Sequence, residues 1–267
     1  MSMGMLFDST LCIGCGACAS ACKEENGLSG DVAPGLTADT WTVVEEHEGT
    51  FVRRLCMHCL DPTCVSVCPV AALQRSATGA VLYDASRCIG CRYCMMACPF
   101  EVPKYQWRSP VPVVGKCGLC TGRLAAGRPT ACAEACPTGA TLFGEREAVI
   151  DTARERLRVE PAKYVPLIYG EHEAGGTSTL LISAVPFEKL GYPTNLPRAP
   201  LPMLTWQVLS KVPDFVVLAG AGLFGLKWIT DRRDEVRAHA PDPDPSPSGG
   251  PWERLLRVFR RAGRVTL

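Results

Sequence analysis

An excess of charge of either sign is missing from this chain. Its 267 residues carry 28 Lys and Arg against 27 Asp and Glu, a formal net charge of +1. Nothing in that balance draws a strongly charged partner, and nucleic acid is excluded as an expected ligand. Aromatic residues are scarce at 7%, so the apolar core is expected to be small. A nucleotide-binding loop, a flavin motif and spare metal ligands are also absent from the pattern. The chain is therefore expected to have no catalytic centre of its own. No cleavable leader or twin-arginine motif is read in the opening Met1-Ser2-Met3-Gly4, which reaches Asp8 within one short run. Export is expected to rely on a partner's signal or on a longer native N-terminus.

Cysteine is abundant instead. The sixteen cysteines fall into four groups with none left over: Cys12, Cys15, Cys18, Cys22; Cys56, Cys59, Cys64, Cys68; Cys88, Cys91, Cys94, Cys98; and Cys117, Cys120, Cys132, Cys136. A 4Fe–4S cluster takes four thiolates, so this is the number for four clusters. The first and third groups follow the bacterial ferredoxin run C-x-x-C-x-x-C-x-x-x-C. Three cysteines at two-residue intervals let one loop wrap a cube, and the fourth reaches a second cluster. Pro69, Pro99 and Pro137 follow Cys68, Cys98 and Cys136, where a first helical turn has no N–H bond to lose. Structural zinc would use paired C-x-x-C knuckles without the tight triple. A disulfide framework belongs to shorter secreted chains. Both readings fail on the ferredoxin run.

The groups repeat. Asp8-Ser9-Thr10-Leu11-Cys12-Ile13-Gly14-Cys15 matches Asp84-Ala85-Ser86-Arg87-Cys88-Ile89-Gly90-Cys91, and Cys68-Pro69-Val70-Ala71-Ala72-Leu73 resembles Cys136-Pro137-Thr138-Gly139-Ala140-Thr141-Leu142. Two two-cluster units are expected. The spacing leaves open whether the first group pairs with the second or with the fourth.

Between and after the groups the pattern predicts an α+β fold. Residues 40–55 read as a β-hairpin, Val81-Leu82-Tyr83 as a strand, 145–157 as a solvated helix, and 164–186 as extended chain with a Gly175-Gly176 turn. Residues 196–202 hold three prolines and make a linker. From Val212 to Ile229 the chain is mostly apolar, and with Leu204 and Trp206 it reaches the roughly 20 residues that cross a bilayer. Lys211, Asp214 and Lys227 fall near the interfaces, Trp206 and Trp228 serve as anchors, and Gly220, Gly222 and Gly225 allow a neighbouring helix to approach. Arg232, Arg233 and Arg237 put the following tail in the cytoplasm, and the cluster domain on the outer face, by the positive-inside rule. A Pro-Asp-Ser-Gly stretch then leads to Trp252, Leu255, Leu256 and Phe259 on one helical face among five arginines, a candidate lipid-surface helix over 252–264. Lys104, Arg92 and Lys116 lie beside cysteines and are read individually as ordinary surface charge. His58 is read as a hydrogen-bond donor behind the ligands or an exposed residue, not an iron ligand, and Glu171 and His172 as structural.

These motifs together resemble the four-cluster iron–sulfur subunits of membrane-bound respiratory enzymes. Cys12-Ile13-Gly14-Cys15-Gly16-Ala17-Cys18, Cys56-Met57-His58-Cys59, Cys94-Met95-Met96-Ala97-Cys98-Pro99-Phe100 and Lys116-Cys117-Gly118-Leu119-Cys120 carry the likeness. Tyr169-Gly170-Glu171-His172-Glu173-Ala174-Gly175-Gly176-Thr177 and Val185-Pro186-Phe187-Glu188-Lys189-Leu190-Gly191 are similar to the hydrogenase-2 type. The resemblance implies two ferredoxin-like units interleaved in sequence, 1–40 with 115–150 and 41–114, then a connecting segment 151–203, a transmembrane helix 204–230 and a basic tail 231–267. It implies that Cys12, Cys15, Cys18 and Cys136 hold one cluster, and Cys22, Cys117, Cys120 and Cys132 its neighbour. Cys56, Cys59, Cys64 and Cys98 would hold a third, and Cys68, Cys88, Cys91 and Cys94 the fourth. The implied task is electron relay in a prokaryotic inner membrane, between a catalytic subunit and a multi-span quinone-reactive subunit. The catalytic subunit would be a NiFe hydrogenase or, as the alternative, a molybdopterin enzyme such as formate dehydrogenase. A soluble polyferredoxin would carry the same clusters without the apolar run, and a cytoplasmic-facing cluster domain is the alternative placement.

Overall fold

In the computed structural model, residues 2–110 and 113–239 are described, so the candidate surface helix at 252–264 lies outside them. They divide into two units, up to residue 207 and from 208 onward.

The first unit is organised by strand β1, Met3–Asp8. Five of its six residues are buried, which suits a central strand covered on both faces. It pairs antiparallel with β8, Thr141–Glu145, and parallel with β9, Thr179–Ile182, giving the order β8-β1-β9. Alternation sorts the side chains. Leu6, Leu180 and Ile182 pack under helix α6, Arg146–Val159, against Val149, Ile150 and Ala153. Phe7 and Leu181 turn to the opposite face, among Tyr169, Phe187 and Tyr192. Helix α6 is solvated on its outer face, as its charge pattern predicts, and carries the i,i+3 pairs Arg154–Asp151 and Arg158–Glu155 there.

The rest of the unit is short pieces joined by cysteine loops. Helix α1, Ala17–Glu25, leads to the hairpin β2, Val43–His47, with β3, Thr50–Arg54. Helix α2, Thr63–Ser66, precedes the hairpin β4, Leu73–Arg75, with β5, Val81–Tyr83. Helix α3, Tyr93–Ala97, precedes β6, Lys104–Tyr105, paired with β7, Val114–Gly115. Helices α4, Thr121–Ala125, and α5, Ala131–Glu134, then close on β8. Such pieces bury too little apolar surface to be stable alone.

The apolar C-terminal region is helical, in two segments. Where the sequence pattern puts one helix over 204–230, α7, Leu201–Leu209, ends before Ser210 and Lys211, and α8, Val212–Ala238, begins beyond them. Pro213 sits in the first turn of α8, where its missing N–H costs nothing, but it could not continue α7. This is the one helical region among the described residues long and apolar enough to cross a membrane. Phe215, Val216, Val217, Leu218, Leu223, Phe224 and Leu226 are all exposed along it. A helix apolar all round needs an apolar surrounding.

Candidate metal centres

The two copies of the sequence repeat launch their cysteine loops with the same turn. Asp8 Oδ1 accepts from the backbone N–H of Thr10 at 3.0 Å and its hydroxyl at 2.6 Å. Asp84 Oδ1 accepts from Ser86 at 2.9 and 2.6 Å in the same way. Each turn holds the chain two residues before the first cysteine of a run. The copies then differ. Asp84 is exposed, whereas Asp8 is fully buried and also accepts from Arg156 at 2.7 Å and from the Tyr164 hydroxyl at 2.9 Å. Within the loops, Gly14 and Gly90 lie at φ 72° and 71°. A Cβ on Gly14 would come within 2.4 Å of the Phe51 ring, and one on Gly90 within 2.8 Å of the Tyr105 hydroxyl.

These loops bring the thiols together by fours, and all sixteen are free of disulfides. Cys12, Cys15, Cys18 and Cys136 line one void. Cys22, Cys117, Cys120 and Cys132 line a second, and Cys68, Cys88, Cys91 and Cys94 a third. The three voids are alike in size. Cys59 has Cys56, Cys98 and Cys64 as its neighbouring thiols, which makes a fourth group.

Each set meets the next. Cys18 and Cys132 share an apolar cluster with Met5, Leu55 and Leu119. Cys56 and Cys117 share another with Val102. Cys64 and Cys94 share a third with Leu73 and Val81. The four sets therefore form a row, and the two exposed cysteines, Cys15 and Cys91, belong to its end sets.

The surroundings fit thiolate-bound clusters. Burial pushes the thiols of Cys22 and Cys64 up to about 12 and that of Cys94 up to about 11, with neighbouring thiols adding to the effect. Such groups become thiolates only where a cation offsets the repulsion, and iron does so. N–H donors already address the sulfurs. Ala72 donates to Cys68 at 3.2 Å, Gly90 to Cys88 at 3.4 Å and Leu119 to Cys117 at 3.4 Å. Bonds of this kind tune cluster potential. At Cys136 burial acts upward, but donors from Thr141, Thr138 and Ala140 outweigh it and hold the thiol below its ordinary value.

Charged and polar neighbours depart from the sequence reading in places. Lys116 is not a surface charge. It is buried, and its Nζ donates to the carbonyls of Val81 and, at 2.7 Å, Cys117, because the chain leaving β7 turns it under β5. Arg92 does lie near the surface, stacked 5.0 Å from the Trp107 ring and 5.7 Å from Tyr105, and Lys104 is half-buried. His58 is fully buried, and its Nδ1 accepts from the Val81 N–H at 3.0 Å, which leaves the ring proton on Nε2. Burial and Lys116 hold that imidazole well below its usual range, so it is neutral. Glu171 accepts from Arg154 at 2.6 Å, as a structural residue would. Sequence reasoning missed Arg53, a buried guanidinium that lines the void of Cys22, Cys117, Cys120 and Cys132. The available signal was its strand position, on one face with Phe51 and Leu55.

Known proteins resemble this chain over most of its length. A family described as a 4Fe–4S dicluster domain matches residues 47–146, and a second family of the same description matches residues 11–72. A protein of Nitratidesulfovibrio vulgaris is 39% identical over 255 residues, covering 89% of this chain and 69% of that one. The hydrogenase-2 operon protein HybA of Escherichia coli O157:H7 is 39% identical over 239 residues, 72% of this chain and 73% of HybA. The iron–sulfur subunit of the nitrate-inducible formate dehydrogenase of Escherichia coli K12 is 34% identical over 197 residues, 66% of each chain. With sixteen cysteines gathered by fours and relatives matched over most of their length, the chain belongs to the family of 4Fe–4S electron-transfer subunits of respiratory oxidoreductases.

Proposed function

We propose that this chain is the electron wire between a NiFe hydrogenase catalytic subunit and a quinone-reactive membrane subunit. The row of four cysteine sets with its end sets at the surface carries the reading. A 4Fe–4S cluster, when bound, takes up and releases one electron without bond making, so no acid, base or nucleophile is required of the protein. Cys12, Cys15, Cys18 and Cys136 hold one end cluster, and Cys68, Cys88, Cys91 and Cys94 hold the other. Cys22, Cys117, Cys120 and Cys132 hold one inner cluster, and Cys56, Cys59, Cys64 and Cys98 the second. In sequence this interleaves two ferredoxin-like units, 1–40 with 115–150 around 41–114.

The polypeptide's own work is placement and dielectric control. Apolar side chains between successive sets keep water out, and N–H donors to sulfur set each potential. The apolar helix anchors the chain, and the positive-inside rule supports a cytoplasmic tail with the cluster unit on the outer face. The likeness to HybA, a protein of a hydrogenase-2 operon, supports hydrogenase as the partner. The formate dehydrogenase iron–sulfur subunits favour a second reading, a molybdopterin partner. Metal analysis of the complex that copurifies with this chain from native membranes separates them. Nickel is expected, and molybdenum or tungsten without nickel would move the chain to the second reading.

A further inference from the structure

We infer that Arg53 is the internal counter-charge of the first two sets of cysteines, and that it holds their clusters at higher reduction potential than the protein would otherwise give. Arg53 is 1% exposed. Its Nε donates to the Thr42 hydroxyl at 3.0 Å, and Nη1 to the Thr141 hydroxyl at 3.1 Å and the Met5 sulfur at 3.4 Å. Its Nη2 has no partner. All three partners are neutral, and no carboxylate pairs with this guanidinium among the described residues. An arginine stays charged in a protein, and a buried, unpaired charge is costly unless an opposite charge faces it.

The groups that face it are sulfurs. Arg53 lines the void of Cys22, Cys117, Cys120 and Cys132, while Thr141, which holds its Nη1, lines the void of Cys12, Cys15, Cys18 and Cys136. Protonated thiols would leave the guanidinium uncompensated. Four thiolates around a 4Fe–4S core carry a net negative charge, which grows by one when an electron arrives. A fixed cation in a water-free interior therefore favours the reduced form. No proton has to move with the electron.

Other parts of the interior are provided for differently. Lys116, the other buried cation near the cysteines, has its Nζ spent on the carbonyls of Val81 and Cys117. Arg54, the next residue, pairs with Glu45 at 2.9 Å and lies 4.1 Å over the Tyr192 ring. Of the hairpin's two arginines, only Arg53 is left with an unused donor among sulfurs.

The inference rests on the cluster assignment proposed above, and the experiment tests the two separately. Full-length chain in its native complex is purified as wild type, Arg53→Met and Arg53→Lys. Iron per chain is counted, and each sample is titrated with dithionite under electron paramagnetic resonance. Arg53→Met is expected to make reduction at least tenfold less favourable at two of the four clusters, a shift of about 59 mV or more for one electron, or to lose the iron of those two. Arg53→Lys keeps the charge and is expected to retain all the iron, with potentials close to wild type. Wild-type potentials in Arg53→Met would overturn the inference, as would equal damage in both variants, which would mark a role in shape instead of charge. Fewer than four clusters in the wild type would instead overturn the assignment.

Discussion

At the scale of single residues, the cysteines are easy to read and their supports are not. Spacing identifies every thiol because an iron–sulfur loop is local, with two or three of four ligands inside one short run. Gly14 shows what the spacing leaves out. At φ 72° with the Phe51 ring 2.4 Å from a would-be Cβ, it admits no side chain. Gly14→Ala should cost more than the roughly 1–2 kcal/mol of left-handed backbone strain, and iron at the first set should fall with it. Gly90→Ala meets only the end of the Tyr105 side chain and should be milder. Iron assay with thermal melting of each variant checks the order. The repeated aspartates make a second contrast. Removing the buried partner of Arg156, as in Asp8→Ala, should cost about 3 kcal/mol. Asp84→Ala, at an exposed turn, should cost well under about 1 kcal/mol. Equal melting shifts in the two variants would refute that difference. Arg53 and Lys116 were illegible as buried charges because nothing in the neighbouring sequence separates a buried cation from a surface one. Arg53 adjoins Arg54 on β3, where alternate residues face opposite ways, and only the tertiary fold decides which of the two is enclosed.

At the scale of elements, the hairpin β2–β3, strand β5 and helix α6 follow their sequence patterns closely, since alternation or a 3.6-residue period marks each of them. The short helices α2, α3, α4 and α5 carry no such period, because four or five residues are too few to show one. They exist where the cysteine loops end, not where propensity is high. The parallel pairing of β1 with β9 was equally hidden, joining strands more than 170 residues apart in sequence. The boundary between α7 and α8 follows from Pro213, which the apolar run obscured. Helix α8 has 27 residues, a length of about 40 Å, against a hydrocarbon core near 30 Å. Ending the chain after residue 200 should release it from vesicles while leaving its visible iron–sulfur absorbance intact. Flotation on a sucrose gradient measures this, and a truncated chain still floating with lipid would place the anchor elsewhere.

At the scale of the whole molecule, one part has an apolar core and the other has sulfur. Sheet β8-β1-β9 and α6 bury Leu6, Val149, Ile150, Leu180 and Ile182 against one another, whereas the loops from Cys12 onward enclose voids that iron would fill. Oxidative removal of iron should therefore act unevenly. Hydrogen exchange should become fast through α1, α2 and α3, while α6 and β9 stay protected; uniform loss or uniform protection would contradict the division. Composition hinted at this economy through few aromatics and many cysteines, but which thiols join which set is a property of the folded chain. The measurement closest to the central claim is the count of iron and acid-labile sulfide per purified chain. Four clusters predict sixteen of each. Eight of each, or zinc in place of iron, would contradict the four-cluster wire.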